Sequence, residues 1–129
     1  MMRSRLVPAL VLVLGLAACS GATAVVESVD PDAAAALLDG DAVLLDIRTP
    51  KEYSEVRIDG AINIDFLAPD FANRLADFDP DGTYVIYCRS GNRTTAALEV
   101  FADLGFTSVH AVEGGIEAWE SAGLAVLRG

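Results

Sequence analysis

Six consecutive residues that begin with a cysteine have the composition of a reactive site. They lie between an apolar strand-like segment, Thr83 to Tyr87, and a helical one, Thr94 to Phe101. The six residues are Cys88, Arg89, Ser90, Gly91, Asn92 and Arg93. A cysteine just before a helix N-terminus lies beside unpaired backbone N–H groups and the positive end of the helix dipole. Both favour a thiolate or a bound anion, and the two arginines act in the same direction. The loop is therefore expected to hold a sulfur nucleophile.

A structural role is the ordinary alternative for Cys88, since unpaired cysteine is among the most buried residue types. The residues that follow it are polar, cationic and include Gly91, which permits a close turn. A packed core position would not accept such neighbours without polar partners. The flanking sequence therefore favours a reactive thiol.

Alternating segments along the chain predict how this loop is positioned. The predicted strands are 25–29, 42–46, 61–64, 83–87 and 107–112, and the predicted helices are 31–38, 49–56, 69–78, 94–104 and 115–122. Strands that alternate with helices in this way predict one α/β domain with a mostly parallel sheet. Ligands bind such sheets at the carboxyl ends of the strands. Asp46 ends one predicted strand and Cys88 directly follows another, so we expect both to lie at the same edge of the sheet, beside one binding crevice.

The first residues have the pattern of an export signal. A basic start, Met1 to Arg5, precedes an apolar run, Leu6 to Ala18, that is too short to span a bilayer comfortably. The end of this run and the cysteine after it, Leu16 to Cys19, resemble a bacterial lipobox. The resemblance implies cleavage before Cys19 and a diacylglycerol on its sulfur, whereas an ordinary signal peptide would leave Cys19 without a role.

Three parts of the chain are expected from this pattern. Residues 1–18 are predicted to be a lipoprotein signal peptide, 19–24 a lipidated tether and 25–129 the folded domain. The protein would be an exported bacterial lipoprotein, anchored to a membrane and facing the periplasm or the cell exterior. If Cys19 carries lipid, Cys88 has no cysteine partner, and an odd cysteine in an exported protein indicates a reactive thiol. Which membrane holds the anchor is left open.

The charge balance limits the partners. The chain has 9 Lys and Arg against 19 Asp and Glu, for a formal net charge of −10. Such an acidic protein is not expected to bind nucleic acid. Arg48, Arg57, Arg89 and Arg93 lie in or near the predicted site, where we expect a local positive funnel for a small anion. No group of residues has metal-ligand spacing, so neither a metal nor an organic cofactor is expected.

Three sets of segments, in order, resemble the signatures of the single-domain rhodanese family. The segments are 46–53 followed by 60–64, the loop 88–93, and 113–119 followed by 123–126. The resemblance covers nearly all of the chain beyond residue 25. It implies a three-layer α/β/α domain around a five-stranded parallel sheet, and sulfur transfer through a cysteine persulfide. One departure is Arg57, which stands where many members have histidine.

The resemblance also implies a reaction and its participants. Cys88 would take the outer sulfur of a small anion such as thiosulfate, and a thiophilic acceptor would then remove it. The acceptor is expected to be cyanide or a thiol, for example on a thioredoxin-like protein. The expected substrate-binding loop comprises Arg89, Ser90, Gly91 and Asn92. The backbone N–H groups of residues 89–93 would stabilise the terminal sulfur anion.

Four charged side chains around the loop receive expected roles. Arg93 is expected to fold under the loop and hold its amides inward, with a surface ion pair as the alternative. Arg89 is expected to point outward and bring in an anionic donor, or to be a solvated charge. Asp46 and Arg48 are expected to fix the loop geometry, with a structural salt bridge as the alternative.

Two other kinds of protein remain open at this stage. Cysteine phosphatases use a similar loop, but they place five residues between the cysteine and the arginine, whereas four lie between Cys88 and Arg93. A persulfide carrier or partner-binding module held at the membrane is the second alternative. Turnover with thiosulfate and a small acceptor would separate an enzyme from a carrier. His110 and Trp119 are expected to be structural.

Overall fold

The computed structural model describes residues 23–129. The predictions for the signal peptide and for Cys19 lie outside this range. The described elements are β1 Val25–Val29, α1 Pro31–Leu38, β2 Val43–Asp46, α2 Pro50–Glu55, β3 Val56–Arg57, β4 Ile62–Asn63, α3 Phe71–Leu75, β5 Thr83–Tyr87, α4 Asn92–Asp103, β6 Ser108–Val112, α5 Gly115–Ser121 and β7 Leu127–Arg128.

Five of these strands form one parallel sheet in the order β1-β6-β5-β2-β4. The central strands β2, β5 and β6 are short, nearly continuous apolar runs, as expected where both faces of a sheet are covered. Their register places Asp46 opposite Tyr87, so that β2 and β5 end at the same edge. The predicted α/β domain with a five-stranded parallel sheet is confirmed.

Two buried clusters lie on opposite faces of the sheet, because successive strand residues point to opposite sides. Leu45 and Ile86 face a cluster that includes Phe101 of α4 and Phe71 of α3. Leu44 and Val85 face the other, which includes Ala34 of α1 and Trp119 of α5. Fully burying one such apolar side chain contributes roughly 1.5 to 3 kcal/mol. Because helix residues contribute to the clusters on both faces of the sheet, the helices form the two outer layers of the domain. Trp119 packs the last helix onto the sheet, as predicted.

The helix starts follow local sequence signals. Asp30 accepts the Ala33 N–H at 2.8 Å, and Pro31 occupies the first helical position of α1. Thr49 and Glu52 form a reciprocal capping box at the start of α2. Helix α4 begins at Asn92, two residues before the predicted start.

The antiparallel pair β3 and β7 was not predicted. Of the helices formed by residues 23–129, none is long and apolar enough to cross a membrane.

Candidate active site

The Cys88 sulfur lies under a tight loop at the carboxyl end of β5. The Gly91 N–H donates a hydrogen bond to Sγ at 3.1 Å, and Thr94 Oγ1 lies 3.8 Å from the same sulfur. The Thr94 hydroxyl also donates to the Gly91 carbonyl at 2.9 Å, which ties the loop to the first turn of α4. Cys88 is only 1% exposed. The thiol is therefore held at a helix N-terminus, facing a backbone donor, as the sequence predicts.

Gly91 has the backbone conformation that makes this turn possible. Its φ is +101°, in the left-handed region that side chains with a β-carbon rarely adopt. A β-carbon at this position would also lie 3.3 Å from the Gly114 nitrogen. The prediction that Gly91 permits a close turn is confirmed. The structure also shows that the backbone of Gly114 leaves little room for a side chain at this position.

Helix α5 supports the loop from behind through its N-terminal backbone. The Ile116 N–H donates to the Cys88 carbonyl at 2.9 Å, and the Glu117 N–H donates to the Arg89 carbonyl at 3.2 Å. The approach is so close that a β-carbon on Gly115 would lie 2.4 Å from the Arg89 carbonyl oxygen. From the sequence, Gly115 was predicted only as part of the segment 113–119, and the paired glycines Gly114-Gly115 were the available sign of this contact.

The Arg93 guanidinium binds a carboxylate on another helix. Its two terminal nitrogens donate to the two oxygens of Glu52, at 2.7 Å and 2.8 Å. Arg93 was expected to fold under the loop and hold its amides inward, with an ion pair as the alternative, and the hydrogen bonds of its guanidinium within residues 23–129 are those to Glu52. The capping box with Thr49 already fixes the Glu52 carboxylate, and the fixed carboxylate draws the guanidinium toward α2. The ion-pair alternative describes Arg93, and the pair joins α4 to α2.

Glu52 was missed as a site residue because its partner lies 41 positions away in the sequence. The hydrogen bond from Arg93 is the largest influence on this carboxyl and lowers its pKa to about 2, against the opposing effect of burial. The same contact raises the pKa of Arg93. Glu52 is therefore ionised throughout the physiological range and holds the base of the loop helix.

Asp46 and Arg48 form a salt bridge that is buried at the end of β2. Arg48 Nη2 donates to Asp46 Oδ2 at 2.6 Å and to the Val56 carbonyl at 2.6 Å, while Arg48 Nε donates to Asp46 Oδ1 at 3.0 Å. Asn63 Nδ2 donates to the carbonyls of both residues, at 3.0 Å and 2.8 Å. Burial alone would lower the pKa of Arg48, but the hydrogen bonds and charge of Asp46 raise it. The structural salt bridge, given as the alternative role, is what the structure contains.

The other loop side chains face outward. Arg89, Ser90 and Asn92 are exposed, as predicted for Arg89. The Arg89 guanidinium is not free, because its Nε donates to Glu117 Oε1 at 3.0 Å. Arg57 lies against the Tyr53 ring, 5.2 Å from its centroid.

Three of the four arginines that were expected to form a positive funnel have carboxylate partners. Arg48, Arg89 and Arg93 each have a carboxylate partner, which offsets their charge locally.

A pocket of about 300 Å³ opens beside the loop, between α2 and α5. It is lined by Arg48, Glu52, Glu55, Val56, Arg89, Ile116, Glu117 and Glu120. The loop contributes Arg89 to its wall, and α5 contributes the residues that hold the loop backbone. The pocket thus lies beside the loop, and Cys88 itself is not among the residues that line it.

His110 lies away from this pocket, in β6. Its Nε2 is 3.1 Å from the Ser108 hydroxyl, and the residue is buried. Within residues 23–129, no three His, Cys, Asp or Glu side chains form a group that could hold a metal ion. The described chemistry is thus concentrated at the sulfur of Cys88.

Comparison with known proteins agrees with this geometry. The chain is 32% identical over 95 residues to the thiosulfate sulfurtransferase GlpE of Pseudomonas entomophila, which covers 74% of this chain and 85% of that protein. It is 33% identical over 90 residues to the chloroplastic thiosulfate sulfurtransferase 16 of Arabidopsis thaliana, covering 62% of this chain and 75% of the plant protein.

A solved structure and a protein family are also similar to this chain over most of its length. A rhodanese-related protein from Thermoplasma volcanium superposes with a TM-score of 0.70 at 29% identity, covering 78% of this chain and 97% of that one. The rhodanese-like domain family matches residues 30–122, from the N-cap of α1 to the end of α5. With the Cys88 loop at the expected edge of the expected sheet, the chain belongs to the rhodanese-like domain family.

Proposed function

We propose that this protein is a sulfurtransferase, which moves a sulfane sulfur from a donor such as thiosulfate to a thiophilic acceptor through a persulfide on Cys88. The observation that carries the proposal is the Gly91 N–H, 3.1 Å from Sγ at the N-terminus of α4. A donor at this place favours negative charge on sulfur, in the thiolate and again in the persulfide. Relatives named thiosulfate sulfurtransferase, at about one-third identity, support the same reaction.

The reaction divides into two displacements. The Cys88 thiolate attacks the outer sulfur of thiosulfate, the sulfur–sulfur bond of the donor breaks, and sulfite leaves with the bonding electron pair. Cyanide or a thiolate then attacks the outer sulfur of the persulfide, and the Cys88 thiolate leaves. No net oxidant or reductant is needed. Covalent catalysis of this kind predicts ping-pong kinetics.

The size of the loop supports sulfur over phosphate as the transferred group. Four residues separate Cys88 from Arg93, and the Arg93 guanidinium is occupied by both oxygens of Glu52. A phosphatase requires an arginine that turns toward three phosphoryl oxygens. A single sulfur atom needs only the backbone donor that already faces Sγ. Phosphatase activity therefore ranks well below sulfur transfer.

Intact mass of the full chain before and after thiosulfate tests the proposal. We expect the parent to gain the mass of one sulfur atom and to lose it on addition of cyanide, while Cys88→Ser gains nothing. Absence of a gain with thiosulfate and with small persulfides would contradict the proposal. Sulfur that loads onto Cys88 but turns over slowly with every small acceptor would instead indicate a persulfide carrier, whose acceptor is a thiol on a protein partner.

Membrane attachment through Cys19 is a separate proposal, based on the lipobox-like sequence. Two acyl chains would anchor the domain stably, where one gives only marginal binding. The domain would then face the periplasm or the cell exterior. Metabolic labelling with a fatty acid in a bacterial host should mark the parent and not Cys19→Ser. Labelling of neither chain would leave only an ordinary signal peptide.

A further inference from the structure

The Thr94 hydroxyl is a buried polar group beside the Cys88 sulfur. Thr94 is 1% exposed, and its Oγ1 lies 3.8 Å from Cys88 Sγ. The same hydroxyl donates to the Gly91 carbonyl at 2.9 Å. A hydroxyl has one proton, which rotates between the acceptors within its reach. Two acceptors, a carbonyl oxygen and a sulfur, therefore compete for the proton of Thr94.

The direction of the contact with sulfur depends on whether Cys88 is ionised. In the neutral thiol the S–H group donates toward Thr94 Oγ1, while the hydroxyl proton stays on the Gly91 carbonyl. The thiolate has no proton and only accepts. A lone pair of Oγ1 facing the thiolate repels its charge, whereas an O–H group facing it makes a charge-assisted hydrogen bond. Ionisation of Cys88 therefore favours rotation of the hydroxyl proton toward Sγ.

The Gly91 carbonyl can release this proton because it has other donors. The Thr95 N–H donates to it at 3.2 Å, and the Thr95 hydroxyl donates to it at 2.9 Å. With Thr94, three donors share the two lone pairs of one carbonyl oxygen. When the Thr94 proton turns away, the carbonyl keeps hydrogen bonds, so the rotation avoids the cost of an unsatisfied acceptor.

We propose that Thr94 is a catalytic residue, whose hydroxyl turns from the Gly91 carbonyl to the Cys88 sulfur when that sulfur becomes negatively charged. The inference rests on the proposed function, since it assigns a further residue to the same reaction. In the second displacement, the acceptor attacks the outer sulfur, the sulfur–sulfur bond of the persulfide breaks, and Cys88 leaves with the electron pair. The hydroxyl then donates to the charge that develops on Sγ, beside the Gly91 N–H. Its effect is therefore largest on discharge of the persulfide.

Titration of Cys88 by NMR in the full chain tests this hydrogen bond without any sulfur donor. The ¹³Cβ resonance of labelled cysteine reports ionisation of the thiol, and no reagent has to reach the buried sulfur. The Cys88 resonance is identified by its absence from Cys88→Ser, which separates it from that of Cys19. The test variant is Thr94→Val, which keeps the branched shape and loses the hydroxyl, and Thr94→Ser restores the hydroxyl.

Thr94→Val should move the midpoint of the Cys88 titration upward by about half to one pH unit, because the charged sulfur loses one hydrogen bond. Thr94→Ser should return the midpoint close to that of the parent. The matched control is Thr95→Val, which removes the exposed hydroxyl that donates to the same carbonyl. Its midpoint should shift much less than that of Thr94→Val.

The charged groups around the loop are the same in these variants, so their effects cancel in the comparison. They are the pairs of Arg89 with Glu117, Arg93 with Glu52, and Arg48 with Asp46. If Thr94 only tied the loop to α4, Thr94→Val would lower stability and leave the titration midpoint in place. The shift in midpoint therefore distinguishes a donor to sulfur from a structural hydroxyl.

A second measurement uses the parent alone and so does not depend on the folding of Thr94→Val. The Gly91 carbonyl loses one donor when Cys88 ionises. Its ¹³C resonance should therefore move upfield with the same midpoint as the Cys88 titration. A Gly91 carbonyl resonance that does not follow this titration would overturn the inference.

The consequence for the reaction is measured by single-turnover discharge of the persulfide with cyanide. Thr94→Val should slow discharge about three- to tenfold, as expected for the loss of one hydrogen bond to a charged group, and Thr95→Val should slow it much less. An unchanged rate of discharge in Thr94→Val would overturn the catalytic role.

Three outcomes of the titration would also overturn the inference: no shift in Thr94→Val, an equal shift in Thr95→Val, or no return of the midpoint in Thr94→Ser. The titration is independent of sulfur transfer. The expected shifts without any gain of sulfur from thiosulfate or a persulfide would refute the sulfurtransferase proposal and leave the hydrogen bond to the thiolate standing. Sulfur gain without these shifts would refute only the inference about Thr94.

Discussion

The adjacent strands β2 and β5 end at the same edge of the sheet, but the residues there are held in opposite ways. At the end of β2, Asp46 and Arg48 bind each other and further backbone groups through their side chains, and both are buried. At the end of β5, Cys88 Sγ faces one backbone N–H, and its loop is held through main-chain carbonyls.

The difference indicates that the end of β2 has a structural role and that the end of β5 has a chemical one. Side chains whose hydrogen bonds are all made inside the protein have few groups left to bind a substrate. Removing one partner of such a pair leaves the other charge buried without compensation. The Cys88 sulfur has only the Gly91 N–H and, at 3.8 Å, the Thr94 hydroxyl as polar neighbours, so its reactive electrons remain available. We therefore expect changes at the end of β2 to affect mainly stability, and changes at the end of β5 to affect mainly chemistry.

The largest effect is expected from Cys88→Ser, which should abolish sulfur transfer. The hydroxyl can still accept the Gly91 N–H, so the free energy of unfolding should change by no more than about 1 to 2 kcal/mol. Thiocyanate formation from thiosulfate and cyanide, together with urea unfolding, measures both quantities. A variant that is inactive because it no longer folds would break the comparison.

Asp46→Asn should have the largest effect on stability. It leaves the Arg48 guanidinium buried without a compensating charge, and breaking a buried pair in this way costs about 3 to 5 kcal/mol. Urea unfolding followed by circular dichroism measures the change. The control is Glu55→Gln, which removes one partner of an exposed pair with Lys51 and should cost less than about 1 kcal/mol. Similar losses in the two variants would contradict the structural role of the Asp46 pair.

Gly115→Ala should damage both the fold and the chemistry, because α5 can no longer approach the loop. The added β-carbon would lie 2.4 Å from the Arg89 carbonyl oxygen, and φ is +64°. We expect a loss of roughly 2 kcal/mol or more, with a lower rate of persulfide formation.

Gly123→Ala is the matched control for Gly115→Ala. Its φ is +81°, but no heavy atom lies within 4 Å of the added β-carbon, so it pays only for the backbone conformation. It should be the milder variant and should keep the parental rate of persulfide formation. Equal effects at the two glycines would mean that the contact between α5 and the loop is unimportant.

Glu52→Gln should have the smallest effect, about 1 kcal/mol, since the ion pair with Arg93 is partly exposed. The pKa of Glu52 is lowered from 4.5 to about 2 in the folded protein. A carboxyl with a lowered pKa stabilises the fold above its unfolded pKa and loses that contribution as the pH falls through its folded value. The difference in stability between the parent and Glu52→Gln should therefore be full at neutral pH and shrink between pH 4.5 and about 2.

Acid titration of the two chains, followed by circular dichroism, tests this window. A constant difference down to pH 2 would contradict the assignment of the pair to Glu52 and Arg93. Because the pair joins α2 to the helix that carries the loop, a modest fall in the rate of persulfide formation should accompany the loss of stability.

The elements and the nucleophile could be predicted from the sequence because their signals are local. Apolar runs mark β2, β5 and β6, and Asp30 with Pro31 marks the start of α1. Cys88 is recognisable from the loop that follows it. The predicted start of α4 was two residues too late, because Asn92 and Arg93 are helical although they are polar.

The contacts that join distant segments could not be predicted. Glu52 meets Arg93 across 41 positions, and nothing near Arg93 in the sequence indicates that its guanidinium binds this carboxylate. The close approach of α5 to the loop depends on Gly115 φ and on the packing of Trp119 against the sheet. The strands β3 and β7 have two residues each, which is too short for a periodic pattern.

The most direct test of the central claim is a single-turnover experiment with thiosulfate labelled isotopically at its outer sulfur. The account predicts that the label appears on a Cys88-containing peptide, in a ratio of one sulfur per chain, and that cyanide then releases it entirely as labelled thiocyanate. Labelled thiocyanate formed without any label on Cys88, or formed equally well by Cys88→Ser, would contradict transfer through the persulfide.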